Sequence, residues 1–127
     1  EMEPLEELML NIKKKCGEDL KEELNLAELP EKGGLYAELG AATEKRYIRM
    51  SIREIHAPVL LMCKGTDEPE SIRVLSRICD YMKKNKQKLK GLTYRVKGIS
   101  VQSGPHKTGR MEDGQVVYSS IINFEIY

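Results

Sequence analysis

Residues 115–127 read QVVYSSIINFEIY and form the clearest strand pattern in the sequence. Alternate positions divide it into two sets of side chains, Val116, Tyr118, Ser120, Ile122, Phe124 and Ile126 against Val117, Ser119, Ile121, Asn123 and Glu125. This period of two is typical of a β-strand, whose successive side chains point to opposite faces. An apolar strand at a chain end is either built into the sheet or left to pair with a partner.

The preceding stretch predicts a second long strand over Leu92–Gln102, joined to the last one by a loop at residues 103–114. Twelve residues exceed the two to five of an ordinary hairpin loop. Gly104, Pro105, Gly109 and Gly114 set its backbone, and His106, Lys107 and Arg110 give it positive charge. Two interpretations stay open: a projecting arm that contacts a partner, or a mobile hairpin tip that turns at Asp113-Gly114.

Two helices are predicted. The first covers residues 4–26, with Pro4 in its first turn, a possible kink at Gly17 and an apolar stripe of Leu5, Leu8, Ile12, Cys16, Leu20 and Leu24. The second begins at Asp67, a capping residue followed by Pro69 and Glu70. Its apolar face is Ile72, Leu75, Ile78, Cys79 and Met82, the basic run Lys83–Lys90 follows, and Gly91 is a plausible stop.

Between the helices the pattern is extended. We expect a short strand at Leu35–Leu39 and a half-buried one over residues 48–53, where Ile48, Met50 and Ile52 face one way and Arg49, Ser51 and Arg53 the other. Ala57-Pro58 would start or bulge the next strand. Val59–Cys63 is short and apolar, which suits a central strand buried on both faces.

This order predicts an α+β fold: an antiparallel sheet of about four to five strands with two helices packed on one face. The 127 residues suit a single domain, 1–127. The sequence contains no apolar run of the ~20 residues needed to cross a bilayer.

Charge is unevenly distributed although the net charge is only +1. Residues 1–31 hold ten acidic residues and four lysines. Residues 81–111 hold nine basic residues and no acidic one: Lys83, Lys84, Lys86, Lys88, Lys90, Arg95, Lys97, Lys107 and Arg110. This asymmetry indicates either complementarity, within the chain or head-to-tail between copies, or a nucleic-acid footprint.

Catalytic and metal-binding motifs are not found. His56 and His106 have no Cys, Asp or Glu beside them at ligand spacing, and phosphate-binding glycine loops and hydrolase signatures are missing. Cys16, Cys63 and Cys79 are far apart and read as reduced, mostly buried thiols. We therefore expect no enzyme, no cofactor and no metal, and keep an enzyme built on Cys63 or His106 as the weakest of three hypotheses.

The C-terminal half resembles a known family. Gly98–Pro105 (GISVQSGP), Gly109–Gly114 (GRMEDG) and Tyr118–Tyr127 (YSSIINFEIY) resemble the end of small minor capsid proteins of long-tailed bacteriophages, which are similar to tail terminators. The helix before them occupies the expected place, whereas Tyr36–Arg53 does not follow the pattern.

The resemblance implies a structural role. Such α+β subunits assemble into a ring, typically of six copies, which caps the tail tube and forms the joint to the head. It implies as partners further copies of the chain, tail-tube proteins and head-completion proteins, with DNA passing nearby but not bound sequence-specifically, and no membrane. The implied location is the virion, and the bacterial cytoplasm during assembly. The implied interface positions are His106, Lys107, Gly109 and Arg110, while Asn123 and Phe124 hold the fold.

The alternative function is a small nucleic-acid-binding module that uses the basic segment 81–111. Tyr94 could stack on a base there, although RNA-binding modules usually place several aromatic residues on one sheet face. The candidate basic patch for this function is Lys83, Lys84, Lys86, Lys88, Lys90, Arg95 and Lys97.

Overall fold

The computed structural model describes residues 2–47 and 52–127 and shows an α+β fold. Its elements in chain order are α1 (Pro4–Leu20), β1 (Leu24–Asn25), β2 (Gly34–Leu39), β3 (Thr43–Tyr47), β4 (Ile52–Gly65), α2 (Glu68–Lys84), a 3-10 helix (Lys86–Leu89), β5 (Val96–Arg110) and β6 (Val116–Ile126). The sheet thus has six strands instead of the predicted four to five. Its order is β1-β2-β4-β6-β5, with β3 also paired to β4, and only the β1–β2 pair is parallel.

One face of the sheet carries the hydrophobic core. Register places Ala57, Val59 and Leu61 of β4 opposite Phe124, Ile122 and Ser120 of β6, and all six are at most 1% exposed. Buried side chains of both helices belong to the same core cluster, including Leu8 and Ile12 of α1 and Leu75 and Ile78 of α2. The period of two in residues 116–126 therefore correctly divided β6 into two faces, and the set that contains Ile122, Phe124 and Ile126 is the one that faces the core.

The opposite face carries a half-buried apolar group beside polar residues such as Glu38 and Ser119, which pair with Leu60 and Met62. Tyr36 of β2, Leu60 and Met62 of β4 and Ile121 of β6 share it by register. These four side chains lie outside the core cluster, to which both helices contribute. We call them the open face. Val59–Cys63 is therefore central in the sheet but not buried on both sides as predicted. Burial of five consecutive residues occurs instead at Val116–Ser120.

The two helices end earlier than predicted. α1 runs without a break through Gly17 and ends at Leu20, because Lys21 takes a left-handed conformation (φ 57°) that closes the last turn onto the carbonyl of Cys16. Leu24, predicted as helix, lies in β1. α2 begins as predicted, with the Asp67 carboxylate accepting the Glu70 N–H at 3.1 Å.

α2 departs from the prediction in two respects, its last residue and the exposure of Ile72. The helix ends at Lys84, not at Gly91: Asn85 leaves the helical conformation (φ −124°, ψ 38°), and its side-chain amide caps the Tyr81 carbonyl at 2.9 Å. The side chain of Ile72, predicted on the apolar face of this helix, is 40% exposed.

Pro58 lies inside β4 and neither starts nor bulges it. The irregularity is in the partner: Leu39 pairs with Val59 and Thr43 with His56, so three residues, 40–42, oppose two. The Pro58 carbonyl accepts the Gly40 N–H at 2.7 Å, and in a strand the N–H and carbonyl of one residue point to the same side. A backbone N–H at position 58 would therefore point toward residues 40–42, where the strand pairing is already interrupted, so proline costs no hydrogen bond there.

The predicted loop 103–114 is mostly strand. β5 continues to Arg110, and its four register shifts against β6 accommodate the extra residues. The turn is residues 111–115, with Gly114 at φ 87° donating to the Met111 carbonyl, so the predicted turn at Asp113-Gly114 is confirmed. The predicted strand start at Leu92 moves to Val96. The predicted alternation of Ile48, Arg49, Met50 and Ser51 falls outside the described residues.

Burial gives a matched test of the core. Ile122 is 1% exposed and Ile72 is 40% exposed. We expect Ile122→Val to lower the free energy of unfolding by about 0.5–1.5 kcal/mol, because it removes one buried methyl group, and Ile72→Val to leave it nearly unchanged. Urea unfolding of both variants measures this, and equal losses would contradict the assignment of the core face.

Candidate functional site

Two of the four predicted interface residues join β5 to α2. The Lys107 ammonium lies 2.7 Å from the Glu68 carboxylate, the Arg110 guanidinium lies 3.7 Å from it, and the Tyr118 hydroxyl donates to it at 2.9 Å. The hydrogen bond from Lys107 is the main cause of the lowered pKa of Glu68. Lys107 and Arg110 thus hold the hairpin against the first turn of α2.

The other two residues lie apart from this cluster. Register places His106 opposite Ser119 and Gly109 opposite Val117, on the side of β6 away from the core. The His106 Nδ1 donates to the Gly104 carbonyl at 2.8 Å, and a side chain at Gly109 would meet no atom within 4 Å. The structure therefore does not bring the four residues together as one surface.

Several members of the predicted basic patch are ion-paired within the chain. Lys83 lies 3.8 Å from Asp80, Lys88 lies 3.5 Å from Asp19, and Lys97 lies 3.1 Å from Glu54. Asp19 also accepts the Tyr81 hydroxyl, which is the main cause of its lowered pKa. These contacts join the basic segment to carboxylates of three different elements.

The acidic first helix contacts the basic segment directly. The Glu7 carboxylate accepts the backbone N–H groups of Leu92 and Thr93, both at 2.8 Å, and the Thr93 hydroxyl at 2.6 Å. These hydrogen bonds, led by that from the Thr93 side chain, lower the pKa of Glu7. The Asp19–Lys88 pair adds one direct ion pair between the acidic and basic segments, which supports complementarity within the chain.

The remaining cations of the segment gather at one place. Among the described residues, no carboxylate lies within 4 Å of the charged groups of Lys84, Lys86, Lys90 or Arg95. The last three line one cleft of about 590 Å³ together with Gln87, Gly91, Val96 and Tyr127. We call this the basic cleft. Its only ring is that of Tyr127, which is 47% exposed.

Residues 90–95, which form one wall of the basic cleft, are fixed from three sides. Arg95 and Tyr127 exchange two backbone hydrogen bonds, at 2.7 and 3.0 Å, which extend the ladder beyond β5 and β6. The Tyr94 hydroxyl donates to the Leu89 carbonyl and accepts from the Asn11 amide at 2.9 Å. A Cβ at Gly91 would lie 2.4 Å from the Tyr94 ring and 2.5 Å from Glu7, so only glycine fits there.

A second polar cluster lies at the edge of the open face. Glu54, 4% exposed, receives the His56 Nε2 at 2.9 Å and the Lys97 ammonium at 3.1 and 3.2 Å. The Lys97 hydrogen bond is the main cause of the lowered pKa of Glu54 and of the raised pKa of Lys97. Glu125 lies 4.0 Å from His56 on the adjacent strand.

The sequence analysis missed this cluster. Its statement that His56 has no acid at ligand spacing is wrong, because Glu54 and His56 are two residues apart on one strand and therefore share a face. Ligand atoms of Glu54, His56 and Glu125 lie within 4.8 Å of one another, which a metal ion would need. The Lys97 ammonium, however, already contacts both Glu54 oxygens, so the arrangement is a satisfied ion-pair cluster.

The cysteines are buried or half-buried thiols. Cys16 and Cys79 are buried, while Cys63 is half-buried with its thiol 3.5 Å from the Ser71 hydroxyl. Burial raises the pKa of all three, that of Cys16 to about 12. Raised values disfavour the thiolate that nucleophilic chemistry requires.

The comparisons add no relative. No protein-family model matches the chain, and no curated protein matches it. Within the described residues, every helix is too short or too polar to span a lipid bilayer. The function of the chain therefore has to be inferred from the contacts, burial and charges described above.

The Glu7 anchor gives a pH prediction. Its pKa is lowered in the folded chain, so its contribution is full above about pH 4.3, the ordinary glutamate value, and is lost as pH falls through the folded value. We expect Glu7→Gln to lower the melting temperature at pH 7 and to flatten its decline below pH 4.5. Glu28→Gln, at an exposed position, is the control, and matching curves for both variants would contradict the anchor.

The Glu54–Lys97 pair predicts coupling between two substitutions. We expect Lys97→Met to lower the free energy of unfolding more in the wild-type chain than in the Glu54→Gln variant. In the wild-type background the substitution leaves a buried carboxylate without its cation. The coupling should persist from about pH 5 to 10 and vanish on both sides, as Glu54 protonates and Lys97 deprotonates. Additive effects in thermal unfolding at pH 7 would refute it.

Proposed function

We propose that the chain is a phage structural subunit, similar to minor capsid and tail-terminator proteins, that assembles with copies of itself into a ring. In this proposal the ring caps the tail tube at the head–tail joint, binds tail-tube and head-completion proteins, and is part of the virion after assembly in the bacterial cytoplasm. The chain has no catalytic role in it.

The open face is the observation that carries this proposal. Tyr36, Leu60, Met62 and Ile121 lie side by side on paired strands and are only half-buried. Contiguous exposed apolar surface of this kind marks an interaction site in a soluble protein. A repeated contact between this face and a different surface of the next copy is heterologous, and such contacts close into rings when the rotation allows.

Ion pairs between copies contribute less to assembly in this proposal than the uneven charge of the sequence suggests. Two of the four acidic groups of α1, Glu7 and Asp19, are engaged with the chain's own segment 88–93. Apolar contact through the open face therefore supplies the main attraction in the proposal, and salt should affect assembly weakly.

The hairpin has a divided role in the proposal. His106 and Gly109 remain proposed contact positions, because their side of β5 faces away from the core. Lys107 and Arg110 support the hairpin through Glu68 and act on the interface only by positioning it.

The edge strand β5 is unsuited to open-ended pairing with another sheet. It has four register shifts and carries Lys97, Lys107 and Arg110. Bulges and charges on an edge strand discourage edge-to-edge association. We therefore propose side-chain contacts through the open face and not strand addition.

Nucleic-acid binding is a second candidate function, favoured by the basic cleft. Five of the nine basic residues in 81–111 pair with carboxylates, so the whole segment is not an unpaired footprint. The cations still available to phosphate are Lys84, Lys86, Lys90 and Arg95, and the last three line the basic cleft.

Self-association tests the ring proposal. We expect Leu60→Glu to weaken association at least about tenfold, because it places a charge at the centre of the apolar contact. Leu92→Glu, at a position that is 99% exposed and outside the open face, should leave association unchanged. Light scattering on a sizing column over a range of protein concentrations measures both, with circular dichroism to verify folding. A wild-type chain that stays monomeric at every concentration would contradict the proposal.

A further inference from the structure

The basic cleft is lined by three cations of the basic segment that are not paired with any carboxylate that the structure describes. Lys83, Lys88 and Lys97 of the same segment are paired with Asp80, Asp19 and Glu54. Lys86, Lys90 and Arg95 have no such partner among the described residues, and no side chain that lines the cleft is acidic. Three like charges around one cleft repel one another, and an anion between them would relieve that repulsion.

The position of these cations is set by structure that does not depend on a ligand. Lys86 donates to the Lys97 carbonyl at 3.2 Å, which brings the start of the 3-10 helix against the start of β5. The backbone of Arg95 is fixed opposite Tyr127, and the loop between Lys90 and Arg95 is held by Glu7. Little ordering is therefore needed when a ligand binds, which favours affinity.

The chemistry of the lining indicates the ligand class. Lysine ammonium and arginine guanidinium groups together are typical of phosphate recognition, with arginine able to bind two oxygens at once. Tyr127 adds an exposed aromatic residue beside them, on which a base can stack. The volume of about 590 Å³ lies within the range of small-ligand sites.

We propose that the basic cleft binds the phosphate groups of a nucleotide or of a single-stranded nucleic acid, with Lys86, Lys90 and Arg95 on the phosphates and Tyr127 against a base. This inference rests on the second candidate function and narrows it to one site. It is independent of ring assembly.

Fluorescence anisotropy of a labelled twelve-nucleotide thymidine strand at low salt tests this proposal. The variant is Lys86→Ala/Lys90→Ala, and the matched control is Lys83→Ala/Lys84→Ala, which removes the same charge from the end of α2 outside the cleft. We expect the first to weaken binding about tenfold or more and to reduce the salt slope by about 1.4, at roughly 0.7 per phosphate contact. The control should change neither.

Competitors identify the source of the phosphate. Displacement of the strand by millimolar ATP supports a site for one nucleotide, whereas displacement only by unlabelled strand supports a site for the polymer. Equal losses of affinity in the two double variants would overturn the proposed site in the cleft and would indicate diffuse nucleic-acid binding along residues 81–111. No binding of strand or ATP at low salt would overturn both the cleft and the second candidate function.

Discussion

The antiparallel pairing of β4 with β6 is the interaction on which the rest of the structure depends. Eleven residue pairs, from Ile55–Ile126 to Gly65–Val116, fix the register of the two central strands. A slip of one residue would exchange the core set of side chains with the open set. The register therefore decides both that Phe124 and Ile122 pack under the helices and that Leu60, Met62 and Ile121 face outward, so the core and the proposed assembly surface follow from one ladder.

The charge asymmetry of the sequence has a structural use. Glu7 fixes the backbone of Leu92 and Thr93, and Asp19 binds both Tyr81 and Lys88. The acidic helix thus attaches to the basic segment that follows α2. What the fold leaves unpaired is a smaller group of cations than the sequence suggests, and it is gathered around the basic cleft. The two candidate functions therefore use opposite kinds of surface, an apolar sheet face and a cationic cleft.

Local signals predicted part of this fold and long-range contacts decided the rest. The Asp67 cap and the alternation of residues 116–126 depend on neighbours in the sequence, and both predictions are confirmed. The continuation of β5 through Pro105 depends on its pairing with β6, so composition alone misplaced it. The end of α1 at Leu20 is closed locally by the left-handed Lys21, a conformation that the residue type does not signal. The pairing of Glu54 with Lys97 joins residues 43 apart, and the sequence signal for the cluster was only the two-residue spacing of Glu54 and His56.

Methionine oxidation tests the central claim, that the sheet has one covered face and one face that copies of the chain cover on assembly. Met82 is fully buried in the core, Met111 is 39% exposed at the turn, and Met62 is half-buried on the open face. Hydrogen peroxide treatment at low and high protein concentration, read by mass spectrometry, compares the three rates. The account predicts slow oxidation of Met82 and fast oxidation of Met111 at both protein concentrations. Met62 should be protected only at the high protein concentration. A Met62 rate that does not change with concentration would contradict it.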